Sequence, residues 1–181
     1  VPDLRENLRR TFRWLGDRTD DTSAADLTGW WREPAIVAQI GPSLAALFPD
    51  DSPTVVMGPQ SRGSLLGVLV AHALGVGLAE VRKDPAQSVD SDAWWEVTTA
   101  PDYQDRHLRL GLRRTLLQAG DRVIFVDDWV DTGAQLEASR RLVDLSGASW
   151  IGAAVVVDAL QRSDLRRNLR VRSLLHVREL P

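Results

Sequence analysis

Cysteine is absent from the 181 residues. That removes disulfides, thiol catalysis and thiolate metal sites, and leaves the redox compartment open. No apolar run approaches the roughly 18 residues of a membrane span. The first residues are charged, and no signal peptide is visible. These absences read as a cytoplasmic chain with no membrane partner. A strong excess of one charge is also missing. The formal net charge is −3, whereas a nucleic-acid binder is more often basic, so no nucleic-acid partner is expected. Internal repeats and low-complexity tracts are lacking too. The arginines come as scattered pairs (Arg113-Arg114, Arg140-Arg141, Arg166-Arg167) beside aliphatics, and read as solvated faces. What the chain has in quantity is tryptophan, seven in all, with adjacent pairs at Trp30-Trp31 and Trp94-Trp95. In a strand one ring of each pair would point away from the core. Plain packing is the favoured role, and stacking on a planar ligand the alternative.

The length suits one domain with a sizeable core. Leu4, Leu8, Phe12 and Leu15 recur at helical spacing, and a polar loop follows from Gly16 to Thr28. Glu33-Pro34 suits a helix start, with Ile36, Val37, Ile40, Leu44 and Leu47 on one face. Strands are expected at 54–57 and 77–82, with a helix from Ser64 to about Leu74 between them. Trp94 to Thr99 and the alternating Leu108, Leu110 and Leu112 suggest a hairpin standing off the core, joined by a loop at 100–106. Further strands are expected at 122–127, 149–158 and 171–177, with a helix from Gly133 to Leu145 and a short segment at 162–169. Strands alternating with helices predict an α/β fold around a mostly parallel sheet with right-handed crossovers.

One stretch organises this layout. Val123 to Val126 is an unbroken apolar run, the mark of a strand buried on both faces. Asp127 and Asp128 follow at its carboxyl end, and Asp131-Thr132-Gly133 then opens a helix. In open α/β sheets, ligands bind in the crevice outside the carboxyl ends of the strands. A Thr-Gly turn at a helix start offers free N–H groups and the positive end of the helix dipole to a phosphate. Adjacent carboxylates suit sugar hydroxyls or a divalent metal. The alternative is that these aspartates merely cap the helix or form the turn. The Asp-Thr-Gly triplet is also that of aspartic proteases, but there it needs an all-β setting, and here it opens a helix.

Gly58 to Gly63 is a second strand-to-helix turn, with Arg62 for an anion and Gly63 for close backbone approach. It is no Walker loop, because no Gly-Lys-Ser/Thr follows. It is no nucleophile elbow either, because Ser61 stands three residues after Gly58 instead of two. Two anion-binding turns at one sheet edge fit a sugar with phosphates at opposite ends.

Val123 to Gly133 resembles the phosphoribosyl-pyrophosphate (PRPP) signature of type I phosphoribosyltransferases. Ser61-Arg62-Gly63, with Leu74-Gly75-Val76-Gly77 and Val81-Arg82-Lys83, is similar to the adenine phosphoribosyltransferases in particular, and the resemblance spans nearly the whole chain. It implies a type I phosphoribosyltransferase-like fold over residues 1–181, with a small hood at 1–32 and a flexible loop and hairpin at 84–113. It implies transfer of a phosphoribosyl group from PRPP to a base, with Mg²⁺ and release of pyrophosphate, in a homodimer. Asp127 and Asp128 would hold the ribose hydroxyls, directly or through the metal. Asp131, Thr132, Gly133, Ala134 and Gln135 would cradle the 5′-phosphate. Gln60, Ser61 and Arg62 would face pyrophosphate across a cis peptide at Gln60–Ser61, joined by Lys83. Asp131 aligns with an aspartate placed near the base nitrogen in the hypoxanthine-guanine enzymes.

The chain also departs from the adenine enzymes. Their hood-loop glutamate falls, by spacing, within Gln104-Asp105-Arg106, which leaves Asp105 as the catalytic carboxylate. Ala25 replaces an arginine before the residue equivalent to Asp26, and Gln135 replaces the usual Thr or Ser ending the phosphate loop. The expected alternatives are therefore a PRPP-sensing regulator that has lost transfer, or an enzyme acting on an acceptor other than adenine.

Overall fold

A computed structural model describes residues 3–16, 24–85, 93–100 and 107–181. Helix α1 (Leu4–Thr11) starts on Asp3, whose carboxylate accepts the Arg5 N–H. Its helical periodicity predicted continuation to Leu15, but the helix stops at Thr11. Residues Arg13–Leu15 instead form strand β1, paired antiparallel with β2 (Ala24–Asp26). Phe12 is buried and extended, and Leu15 is exposed. Pairing with a segment ten residues away outweighs a periodicity that Phe12 satisfies in either conformation. The expected loop at 16–28 accordingly contains β2, and a short helix α2 (Thr28–Arg32) begins inside it. The Asp26 carboxylate accepts both the backbone N–H and the hydroxyl of Thr28, and these bonds hold it below its ordinary pKa. Trp30-Trp31 lies on this helix rather than in a strand, with Trp30 fully buried.

Helix α3 (Pro34–Ala45) carries proline at its first position and buries Ile36, Ile40 and Leu44. Strand β3 (Val55–Pro59), helix α4 (Arg62–Leu74) and strand β4 (Gly77–Lys83) follow. Next come β5 (Trp94–Thr98), β6 (Arg109–Arg113), β7 (Arg122–Val130), α5 (Ala134–Ser146), β8 (Ser149–Asp158), α6 (Ser163–Asn168) and β9 (Val171–His176). Seven strands form one sheet in the order β5-β6-β4-β3-β7-β8-β9. The five from β4 to β9 run parallel, and β6 and β5 add an antiparallel edge.

The apolar runs bury both sheet faces by strict alternation. Val56, Ile124 and Val126 join the core with α3 and α4, while Val55, Met57, Val123 and Phe125 join the core with α5. Helices α4 and α5 thus cover opposite faces. The hairpin expected to stand off the core is part of the sheet. Arg82 pairs with Gly111 and Lys83 with Leu110, and both Leu110 and Leu112 are fully buried. Trp94 and Trp95 alternate across β5, each with an arginine, Arg113 or Arg114, over its ring. Not every arginine is therefore a solvated face. Arg166 is the strongest exception, forming a two-point bond to buried Asp158 at 2.5 and 3.2 Å. Among the described residues, no helix is long and apolar enough to cross a membrane.

If the hairpin is core, Leu110→Ala is expected to lower the free energy of unfolding by about 2–5 kcal/mol in a denaturant titration. A loss within about 0.5 kcal/mol, the usual surface value, would mean that β6 stands off the sheet after all.

Candidate active site

The chain leaves β3 through α4 toward β4, and leaves β7 through α5 toward β8, so neighbouring strands send their crossovers in opposite directions. This is the topological switch point at which α/β sheets open a crevice. Register sharpens it. Strand β7 pairs with β3 only as far as Met57↔Phe125, yet with β8 as far as Val130↔Asp158. From Val126 onward β7 has a strand neighbour on one side. Asp127 and Asp128 sit on that one-sided stretch. The strand was expected to end at 127, with Asp128 just past it, but both aspartates lie within β7, and Gly133 rather than either aspartate caps α5. The capping alternative therefore falls.

The resulting cleft has a volume of about 650 Å³. Gln60, Ser61, Arg62, Lys83, Asp127, Asp128, Asp131 and Gln135 all line it. A hollow of about 180 Å³ adjoins it, shares Asp127, Asp131 and Gln135 with it, and adds Thr132 and Gly133. Gly133 adopts φ 82°, and a Cβ there would come within 2.4 Å of Leu165. Glycine is thus required where the chain turns into α5. Ala134 follows at the first position of α5, its N–H 3.3 Å from the Thr132 hydroxyl. Asp105, with Gln104 and Arg106, lies outside the described residues.

The two aspartates are only 7% and 6% exposed. Burial raises Asp127 well above the ordinary carboxylate range, and the adjacent Asp128 carboxylate pushes the same way; the Asp128 N–H and Lys83 oppose them. Asp127 Oδ1 accepts that N–H at 2.9 Å, and Oδ2 accepts the Gln135 side-chain amide at 2.9 Å. Arg62 Nε stands 2.9 Å from Asp128 Oδ2, a charge contact without hydrogen-bond alignment. The arginine itself is about half exposed. Gln60 is stitched to β4: its N–H donates to Val81 O, and its side-chain oxygen accepts the Lys83 N–H. The Gln60–Ser61 peptide is cis. Gly63 makes the expected close approach, but to the protein itself. A Cβ there would lie 2.4 Å from Pro59 Cδ and 2.9 Å from Asp127 Oδ1.

The far wall of the cleft holds residues that sequence reasoning did not single out as a site: Trp14, Ala24, Leu27, Trp129, Ala159 and Gln161. Trp129 is braced by Phe12, near-parallel at 6.3 Å, and by Trp14, edge-on at 6.0 Å. Its place directly after Asp127-Asp128 was a usable signal. For Trp14 and Ala24 no local signal exists, because they reach the cleft only through the β1–β2 pairing. Among the described residues no three His, Cys, Asp or Glu side chains cluster as a metal site. The donors present, two adjacent carboxylates, fit a Mg²⁺ ion that takes most of its oxygens from ligand and water.

A switch point of an open α/β sheet, with a strand-to-helix turn on either side of paired carboxylates, defines a ligand-binding cleft of the α/β class. The chain belongs to the phosphoribosyltransferase family, for the phosphoribosyl transferase domain profile matches residues 32–177. It is 34% identical over 158 residues to the adenine phosphoribosyltransferase of Methylococcus capsulatus, covering 83% of this chain and 86% of that one. In structure it is similar to the adenine phosphoribosyltransferase of Rhodothermus marinus, with a TM-score of 0.79, 25% identity and coverage of 96% and 98%. The fold is shared with the Trypanosoma brucei enzyme solved with AMP, pyrophosphate and ribose-5-phosphate, with a TM-score of 0.78, 20% identity and coverage of 100% and 82%.

Because Gly63 abuts a buried carboxylate, Gly63→Ala is expected to cost about 1–3 kcal/mol of stability through overpacking. Gly77→Ala is the control, since a Cβ there meets nothing within 4 Å. Equal melting shifts for the two variants would contradict the contact between Gly63 and Asp127.

Proposed function

We propose that the protein transfers the 5-phosphoribosyl group of PRPP to a nitrogen of a purine base and releases pyrophosphate. The observation that carries this is the placement of Asp127 and Asp128 on the one-sided stretch of β7, between the 131–135 turn and the Arg62–Lys83 side of the cleft. The name of the Methylococcus relative and the ligands of the Trypanosoma enzyme support it. Asp127 and Asp128 hold the ribose hydroxyls, and the turn from Asp131 to Gln135 holds the 5′-phosphate with its N–H groups. Gln60, Ser61, Arg62 and Lys83 face the pyrophosphate. The bond from the anomeric carbon to a pyrophosphate oxygen breaks, and the base nitrogen takes that position on the carbon. Negative charge grows on the leaving pyrophosphate, and Arg62 and Lys83 are placed to stabilise it. Mg²⁺ held by Asp127 and Asp128 supplies further neutralisation of the phosphate oxygens when bound. Asp131, at the mouth of both hollows, handles the proton of the base.

The whole span 1–181 is one such domain, with the hood at 1–32 and a loop and hairpin at 84–113 whose strands β5 and β6 belong to the sheet. It works in the cytoplasm as a homodimer, a reading supported by the exposed Leu65 and Val68 on α4. Asp105 serves as the hood carboxylate, following the spacing from Asp127.

PRPP with Mg²⁺ at about 100 times its dissociation constant is expected to stabilise the protein by about 2.7 kcal/mol. Asp127→Ala and Asp128→Ala are expected to lose most of that gain; an undiminished gain in both would remove the ribose site. Arg62→Ala is expected to weaken pyrophosphate binding more than ribose 5-phosphate binding and to slow turnover on the order of 10²–10³-fold. Equal weakening of both ligands would indicate a folding defect instead.

The second test is pyrophosphate release from PRPP across a panel of bases, for the wild type and for Asp105→Asn. The variant is expected to turn over more slowly with nearly unchanged PRPP affinity, the pattern of a contact made in the transition state. Normal turnover would discard the role of Asp105. Tight PRPP binding with no release on any base would replace the enzyme with a PRPP sensor.

A further inference from the structure

The resemblance assigns Gln135 to the phosphate cradle, yet its side chain points elsewhere. Gln135 is the second residue of α5, so its backbone N–H is among the free donors of the first turn and faces a phosphate without help from the side chain. The side-chain amide turns back across the turn and donates to Asp127 Oδ2 at 2.9 Å. The other oxygen, Oδ1, takes the Asp128 N–H at 2.9 Å and lies against Gly63. Each Asp127 oxygen therefore spends one lone pair inside the protein and keeps one for a ligand hydroxyl.

The geometry points to Gln135 as a positioning residue. Its main chain serves the phosphate, while its side chain fixes the rotation of Asp127 so that the remaining lone pairs face the ribose. This rests on the ribose 5-phosphate reading of the cleft and adds a residue-level link between its phosphate and sugar ends. A buried carboxylate beside a second carboxylate has a strong tendency to turn away or take a proton. A neutral donor on Oδ2 counters both and adds no charge that would compete with the ligand. A Thr or Ser at position 135 would be too short to reach Oδ2, so the link follows from the longer side chain.

The test uses two probes, inorganic phosphate and ribose 5-phosphate, titrated calorimetrically into the wild type, Gln135→Met, Asp127→Ala and the double variant. Methionine keeps the length and removes the donor. Gln135→Met is expected to bind inorganic phosphate within about twofold of wild type and to lose on the order of tenfold for ribose 5-phosphate, the scale of one hydrogen bond to a charged group. In the Asp127→Ala background the same change is expected to cost less than about twofold, because the group it positions is gone. Equal losses for the two probes would make Gln135 a direct phosphate ligand and overturn the inference. So would no loss, or a full tenfold loss in the Asp127→Ala background. Failure of the wild type to prefer ribose 5-phosphate over phosphate would overturn the sugar site itself and the inference with it. Melting temperatures of all four proteins guard against reading a folding defect as a binding loss.

Discussion

Past Phe125, strand β7 has a hydrogen-bonded strand on one side only, and everything at the cleft depends on that. A strand interior is the most rigid place in an α/β fold, and it is ordinarily closed on both edges. Here β3 ends its pairing with β7 at Met57 while it stays paired with β4 to Pro59, and β7 runs on beside β8. Rigid backbone thus carries Asp127 and Asp128 into a position that a ligand can reach. Strand β8 supports the same stretch from the other side. Asp158 at its end is pinned by Arg166 and by the Leu160 N–H, which fixes the turn holding Ala159 and Gln161.

Two adjacent carboxylates so deeply covered are costly unless each has partners. The partners come from separate pieces of the chain. Asp128 supplies its own N–H, α5 supplies Gln135, and α4 supplies Arg62. Lys83, from β4, adds a favourable field. None of these elements is near β7 in sequence except α5, so the site exists only when the whole sheet has formed. Local folding of 121–135 would leave Asp128 without Arg62 and Asp127 without the field of Lys83.

Much of this was legible in the chain. The run Val123–Val126 identified a two-sided strand, and its two faces indeed enter two different cores. Gly58–Gly63 and the turn at Thr132-Gly133 stood out from residue chemistry as strand-to-helix turns, and residues of both line the cleft and its adjoining hollow. The misreadings share one cause, which is long-range pairing. Strand β1 was hidden within a helical periodicity because β2 supplies its partner. The hairpin looked exposed because Leu108, Leu110 and Leu112 alternate with Arg109, Gly111 and Arg113, the pattern of a half-exposed strand, although β4 captures Leu110 and Gly111. The cleft wall made by Trp14 and Trp129 was likewise out of reach, since ring-against-ring packing between residues more than a hundred positions apart leaves no periodic trace.

The absent side chain at Gly63 has a consequence for ligand size. With no Cβ, the turn after β3 settles directly on the Asp127 carboxylate and on Pro59, leaving no slack between them. The turn on the β3 side of the cleft is therefore seated against the strand that carries Asp127, with no room to move inward. On the proposed reading, a ligand that engages this turn and the one at Thr132-Gly133 meets one end that cannot close further, so a bis-anion shorter than the gap reaches only one of the two.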